Sequence, residues 1–458
     1  MPTVTTTYTM ATAPGALPVL GHALALARRP LDFVRQLPAH GDLVRIKLGP
    51  QTMHMVCHPD LLHQVLAEDR VYDKGGPIFD KFRELAGNGL LGCPAHDHRR
   101  QRRLVQPAFQ RGRLPGYATM TSQEITALTS TWHNGQVLDV TKAMYQLTTA
   151  VTARCMFAAD MDASDSAALY GSVEAITRGI ARRAMMPVPM ADKLPTRGNR
   201  RFDQARVHVR RLTDTLIANH RADGVDRGDL LSTLLAPQEE GGLGLTDDEI
   251  HEQVLTFLLA GIDTTAILLS WAWHLIGAHP DIQDRLQAEV DTVLDGRPAQ
   301  HADLPALEVT DRIVSETLRL YPSAWLFTRN TTSDTVLGGH RLPAGTTMMF
   351  SAYQVHRRAD LYPAPDSFDP DRWQGAGKPP PGTLLPFGSG PRKCIGEVFA
   401  RNEATLALAS IAARWQLDPV PGRPVHPARR ITLTPNALSM RLRQRWPGQP
   451  PNTPEASS

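Results

Sequence analysis

Cysteine is scarce and scattered. The four in 458 residues are Cys57, Cys93, Cys155 and Cys394, with no C-x-x-C pair, which excludes a zinc framework and a disulfide-stapled secreted scaffold. Unpaired cysteines fit a reducing cytoplasm. Aromatic residues are few, at 6%, and neither sign of charge dominates: 49 Lys and Arg against 46 Asp and Glu leave a net +3. That balance argues against a dedicated nucleic-acid binder, although local basic clusters remain. No stretch approaches the unbroken apolar length of a transmembrane helix. Met1 to Ala13 is Thr-rich and lacks the charged and apolar regions of a signal peptide. No internal repeat occurs. The expectation is a soluble protein without a membrane anchor, with residues 1–12 and the Pro- and Ser-rich 447–458 as disordered ends.

With 42% hydrophobic residues, the chain can bury a large core. Asp42 to Leu48 alternates polar and apolar residues as a half-buried strand does. Gly49-Pro50 makes the turn, and Thr52 to Cys57 reads as the hairpin partner. Pro30 to Leu37 and His58 to Leu66 read as short helices. Tyr72 to Gly92 reads as irregular, with Ile78, Phe79 and Phe82 as its apolar elements. Met120 to Leu235 reads as successive amphipathic helices broken at Met186-Pro187-Val188-Pro189, and Pro237 to Thr246 as an exposed loop. Thr246 and Glu249 then form a capping-box signature.

The helix that follows is apolar almost all round through Trp271, so it belongs in the core. Yet its centre is Ala260-Gly261-Ile262-Asp263-Thr264-Thr265. Glycine costs about 1 kcal/mol there relative to alanine, and a buried acid is expensive without a partner.

Near the C-terminus, Phe387-Gly388-Ser389-Gly390-Pro391-Arg392-Lys393-Cys394-Ile395-Gly396 places one cysteine in a glycine-rich loop just before a helix-like run, Glu397 to Leu408. Glycines at 388, 390 and 396 let the backbone turn tightly and approach a flat ligand. A thiolate at Cys394 is expected to receive backbone N–H groups at the positive end of that helix, which lowers its pKa and suits it to bind a metal. Arg392 is placed to pair with an acidic group on the same ligand. A dinucleotide-binding loop is excluded, because Lys393 stands where a third glycine is needed.

This F-x-x-G-x-R-x-C-x-G stretch resembles the haem-binding loop of the cytochrome P450 family of haem-thiolate monooxygenases. Residues 260–265 resemble the family's A-G-x-D/E-T-T motif, and Glu316-Thr317-Leu318-Arg319 its E-x-x-R. The likeness covers roughly Ala13 to Arg445. It implies one domain, 13–446, mainly α with small β-sheets (α+β), in the cytochrome P450 fold enclosing haem b.

By the same resemblance, Cys394 is the axial iron ligand, and Phe387 and Gly396 shape the haem loop. His98 and Arg102, one helical turn apart, together with Arg329 and Arg392, hold the haem propionates. Small residues at 260 and 261 leave room for dioxygen. Thr264 holds a water through its hydroxyl, and Asp263 relays protons inward. Glu316, Arg319 and Arg372 form a structural network behind the haem. Substrate contacts are expected from Ile78, Phe79, Phe257, Ala260, Trp325 and Leu326. The alternative for each is plain core packing, and for Thr264 a bond back to its own helix.

The resemblance further implies electrons from NAD(P)H through a ferredoxin and its reductase, docking on a basic face with Arg99, Arg100, Arg103 and Lys393. A monomer in a bacterial cytoplasm is expected. Val19 to Thr52, Arg99 to Phe109 and Trp325 to Arg329 are similar to bacterial members that oxidise cyclic terpene hydrocarbons in secondary metabolism. No cationic residue stands out in the expected pocket segments, which favours a neutral substrate over a fatty acid. A fatty-acid or other lipid hydroxylase is the alternative. A non-catalytic haem-thiolate sensor is disfavoured because it needs no proton relay.

Overall fold

The computed structural model describes residues 7–161, 163–185, 194–236, 244–375, 377, 379–422, 424–428 and 432–445. The N-terminal part runs β1 (Met10–Thr12), α1 (Ala23–Arg28), α2 (Pro30–Gln36), β2 (Leu43–Leu48), β3 (Gln51–Val56), α3 (Pro59–Ala67), β4 (Tyr72–Asp73) and α4 (Pro77–Ala86). The helical body follows with α5 (Ala95–Val105), α6 (Leu114–Thr129), β5 (Val137–Asp139), α7 (Val140–Phe157), α8 (Ala163–Met185), α9 (Arg197–Asp223), α10 (Leu230–Leu235), α11 (Asp247–Ala278), α12 (Pro280–Leu294) and α13 (Glu308–Leu320). The C-terminal part is β6 (Leu326–Thr331), β7 (Thr335–Leu337), β8 (His340–Leu342), β9 (Thr347–Ser351), α14 (Ala352–Val355), α15 (Glu397–Arg414), β10 (Trp415–Pro419) and β11 (Ser439–Gln444). The architecture is mainly α with small sheets.

The largest sheet has the order β1-β2-β3-β9-β6-β4. Its centre is the expected hairpin, with Leu43 opposite Val56 and Leu48 opposite Gln51. β9 adds in parallel beside β3, and β6 pairs antiparallel to β9. Two expectations are corrected here. Met10–Thr12 is ordered as a strand against Leu43–Arg45, because joining the sheet satisfies its backbone; residues 1–6, like the tail beyond Arg445 and the expected break at residues 186–189, lie outside the described residues. Tyr72 to Gly92 is not irregular throughout: Pro at the first helical position opens α4, and Gly87 at φ 65° closes it.

The core centres on α11, which is packed on every side by α7, α8, α9, α13 and α15. Thr246 caps it with the expected reciprocal box. α11 is long and apolar enough to cross a membrane, contrary to the sequence expectation, but 83% of its most apolar window is buried inside the protein, as in a core helix.

Candidate active site

Two elements meet at Cys394, the loop that carries it and α5, and α11 reaches them through Phe257, which stacks on Phe109 beside Gly396. In the loop, Gly388 and Gly390 both take φ 69°. A Cβ on Gly390 would lie 2.1 Å from the Leu66 carbonyl oxygen, so α3 leaves no room for a side chain. The turn closes with Cys394 N–H donating to the Phe387 carbonyl at 2.9 Å. Gly396 is different: its φ is an ordinary −87°, and a Cβ would meet only Phe109, at 3.6 Å. Neither backbone strain nor the chain's own packing demands glycine there, so a further group approaching closely is the remaining reason.

Protein surrounds the Cys394 thiol, yet the residue is exposed to the space between these elements. Its environment corrects one expectation. Burial dominates and raises the thiol pKa, while the Gly396 N–H and the charges of Arg102 and Lys74 act only as smaller opposing effects. A helix N-terminus alone does not make this cysteine a thiolate; a bound cation at sulfur must do so.

Around the same space stand His98, Arg102, Arg329, Arg392 and Lys74. Arg102 donates to the Lys393 carbonyl at 2.7 Å, tying α5 to the loop. Burial, followed by the charges of Arg392, Lys74, Arg102 and Arg329, pushes the His98 pKa down to about 3. Burial and Arg392 bring Arg329 down to about 10, and burial, Arg329 and Arg392 lower that of Lys74. A buried group of mutually repelling cations is costly unless anions join it. Arg392 departs from expectation, since its guanidinium is already held by Asp73 at 2.8 Å, Asp69 at 3.3 Å and the Cys93 carbonyl at 2.9 Å. Lys74, which bonds the Leu91 carbonyl at 2.7 Å, was not legible as a member of the group, because nothing local distinguishes it from other lysines.

On α11, the central residues are buried except Ala260, Gly261 and Thr264, which are half-buried. Ala260 and Thr264 share a face. The Thr264 hydroxyl bonds back to the Ala260 carbonyl at 2.8 Å, and the Thr264 carbonyl accepts from Ser323 Oγ at 2.7 Å. Gly261 serves a purpose other than the one expected: a Cβ there would meet Thr152 Oγ1 at 2.9 Å, so its smallness lets α7 approach rather than making room for a ligand. Asp263, 3% exposed, turns towards α7 and accepts a 2.5 Å hydrogen bond from the Tyr145 hydroxyl. Phe257 stacks on Phe109 with ring centroids 5.4 Å apart, which is core packing.

Behind the loop, Glu316 and Arg319 are wholly buried and pair through two bonds, of 2.9 and 2.7 Å. Arg372 lies 3.5 Å from Glu316 without hydrogen-bond geometry, whereas the Trp373 indole N–H bonds it at 2.9 Å. His356, another residue with no sequence signal, connects this network to the loop. Its Nδ1 faces the Arg319 carbonyl at 3.0 Å, and its Nε2 accepts from Leu385 N–H at 2.8 Å.

Towards the large sheet, a cavity of about 300 Å³ is lined by Leu26, Ile78, Ala181, Trp325, Leu326 and Leu433, with Arg28, Arg29, Asp32 and His426 also on its wall. Ile78, Trp325 and Leu326 are where substrate contacts were expected. Phe79 is not: it is buried beneath Lys74, whose ammonium lies 5.5 Å from the ring centroid. Arg28 and Arg29 come from the end of α1, outside the segments where the pocket was expected.

The docking face expected at Arg99, Arg100, Arg103 and Lys393 is divided. Arg100 is spent on Glu249 and the Gly244 carbonyl, joining α5 to the start of α11, and Lys393 pairs with Glu397. Arg99 and Arg103 are exposed and lack an acidic partner among the described residues.

Residues 12–440 match the family model described as Cytochrome P450. The chain belongs to the cytochrome P450 family. Cyclooctatin synthase of Streptomyces melanosporofaciens is 49% identical over 93% of this chain and 94% of its own length. Cyclooctat-9-en-7-ol 5-monooxygenase of the same organism is 46% identical over 91% of each. Pentalenene oxygenase of Streptomyces avermitilis is 45% identical over 97% of this chain and 99% of its own. As a cytochrome P450 the protein is a haem monooxygenase that uses O2 and electrons from NAD(P)H delivered by redox partners. The residues present fit haem b. Cys394 is exposed, Gly396 beside it leaves room for a flat ring, and the buried cations Arg329 and Lys74 await the two carboxylates that the ring carries.

Proposed function

We propose that this cytochrome P450 hydroxylates a cyclic terpene hydrocarbon, a sesquiterpene or diterpene, in bacterial secondary metabolism. The reaction is R–H + O2 + two electrons + two protons, giving R–OH and water. The observation that carries the substrate class is full-length likeness to proteins named for pentalenene and cyclooctat-9-en-7-ol. An apolar cavity walled by Leu26, Ile78, Trp325 and Leu326 supports it, since such a wall buries a hydrocarbon without asking for hydrogen bonds.

Haem, when bound through the Cys394 thiolate, supplies oxygen activation, with sulfur pushing electron density towards O–O cleavage. Arg102, Arg329 and Lys74 would neutralise its propionates, and His98 would donate a hydrogen bond to one of them. Thr264 presents its hydroxyl to the half-open face of α11, where it can hold a water and pass on a proton. Asp263 supplies that proton after turning from Tyr145. Leu26, Ile78, Trp325 and Leu326 hold the hydrocarbon and exclude water. Arg99 and Arg103 would receive an acidic ferredoxin. The protein would act as a monomer in the cytoplasm.

A second reading has one observation in its favour. Arg28 and Arg29 on the cavity wall would suit the carboxylate of a fatty acid. Optical titration of the ferric protein separates the two. A low-spin to high-spin shift with cyclic sesquiterpenes or diterpenes and not with fatty acids supports the terpene reading; a shift with fatty acids alone overturns it.

A further inference from the structure

Two glutamines are buried where α5 meets α11. Gln101 is 1% exposed and Gln253 is wholly enclosed. Burying an amide is costly unless it is hydrogen-bonded, and both amides are bonded at oxygen and at nitrogen. Leu90 N–H donates to Gln253 Oε1 at 3.0 Å, Gln253 Nε2 donates to Gln101 Oε1 at 2.8 Å, and Gln101 Nε2 donates to the Asn88 carbonyl at 2.9 Å. The chain begins on a group that only donates and ends on one that only accepts, so neither amide can be flipped. An apolar pair would fill the same space without that demand; what the amides add is a fixed position.

Both ends of the chain lie in the loop 87–93, which is pressed on α11. A Cβ on Gly89 would lie 2.4 Å from Thr256 Oγ1 and 2.6 Å from the Glu252 carbonyl oxygen. The rest of the loop holds cations: the Leu91 carbonyl takes Lys74 at 2.7 Å, that of Gly92 takes Arg83 at 2.8 Å, and that of Cys93 takes Arg392 at 2.9 Å.

Gln101 shares the buried face of α5 with His98 and stands next to Arg102. Gln253 opens the face of α11 that carries Phe257, Ala260 and Thr264. The amides therefore join the helix that presents His98 and Arg102 to the helix that presents Thr264. Arg100 and Glu249 tie the same two helices, but with both side chains partly in water they fix position less sharply.

We propose that Gln101 and Gln253 are positioning residues for haem: their one-way amide chain holds α5 at the height on α11 from which His98 and Arg102 reach the propionates. They act through α5 and not on the ring. With the chain broken, α5 moves more freely and the propionates are less well neutralised. An electron entering the haem then meets more negative charge, so the midpoint potential falls. The inference rests on haem binding and not on the terpene assignment, so either can fail alone.

Redox titration of the haem-loaded protein tests it, together with hydrogen exchange of the peptide spanning 87–93. Gln253→Met and Gln101→Met should each shift the midpoint potential downward. The double variant should shift it no further, because either change breaks the same chain. Gln253→Met should also speed exchange at 87–93 by about tenfold or more, since it frees Leu90 N–H. Two controls should keep the wild-type potential: Thr256→Val, against the same loop but outside the chain, and Val209→Ala, which opens a core cavity on α9 and lowers the melting temperature. Should Gln253→Met not take up haem, Gln101→Met, which keeps the Leu90 bond, carries the test. Wild-type potentials in the glutamine variants, shifts that add in the double variant, or an equal shift in Val209→Ala overturn the proposal.

Discussion

The Tyr145 hydroxyl donates a 2.5 Å hydrogen bond to Asp263 Oδ1, joining α7 to the centre of α11. Both residues are buried, and the Tyr145 ring rests against Tyr170 with centroids 4.4 Å apart. The carboxylate is thereby aimed at α7, whereas Ala260 and Thr264 face the half-open side of α11. Tyr145 is a positioning residue for the acid. Tyr145→Phe should lower product formed per NAD(P)H consumed several-fold, with haem content unchanged. In an Asp263→Asn background, itself slower by about a hundredfold or more, the same change should do nothing further. Additive losses would mean that Tyr145 acts elsewhere.

The Glu316–Arg319 pair is completely buried, and Arg319 also donates to the carbonyls of His356, Pro365 and Ser367. Removing one partner strands a charge in the core at about 3–5 kcal/mol. Arg319→Ala should therefore yield little haem-loaded protein and a much lower denaturant midpoint. Trp373→Phe, which takes one neutral donor from Glu316, should cost about 1–3 kcal/mol. The ranking is read from chemical denaturation.

Gly261 answers to α7. Gly261→Ala places a methyl 2.9 Å from Thr152 Oγ1, an overpacking that costs about 1–3 kcal/mol. Thr152→Ala should recover part of it, so that a double-mutant cycle returns a favourable coupling. Equal losses with and without Thr152 would assign Gly261 to another contact.

Glu403 on α15 is 2% exposed, and burial lifts its pKa to about 8, with Thr265 a weaker opposing influence. The folded protein holds this proton, and the unfolded chain releases it near the usual carboxylate value. Below that value the group contributes no pH dependence. From there to about pH 8 stability falls as pH rises, by at most about 1.4 kcal/mol per unit; beyond, the loss is complete. Glu403→Gln removes this penalty. Its melting temperature relative to wild type should climb steadily between pH 6 and pH 8, and a constant difference would place the ionisation outside that window.

Motif residues were legible because their chemistry is local: the Cys394 loop, the α11 motif and the E-x-x-R pair each lie within about ten residues. The hairpin at Gly49-Pro50 and the capping box at Thr246 were readable for the same reason. What escaped depends on distance in sequence. Tyr145, Lys74 and His356 reach their partners across 118 residues, across the loop to Leu91, and across 37 residues to Arg319. Gly261 carried a signal that pointed to the wrong neighbour, since only the approach of α7 shows what a side chain there would strike. Arg100 and Arg392 looked free because their acids, Glu249 and Asp73, come from remote segments.

Turnover under isotopically labelled dioxygen tests the central claim most directly. The haem-loaded protein, with a ferredoxin, its reductase and NADPH, would be given cyclic sesquiterpene and diterpene hydrocarbons. The account predicts an alcohol carrying one labelled oxygen, lost entirely in Cys394→Ala. Oxidised product from fatty acids alone, or unlabelled product that survives that substitution, would contradict it.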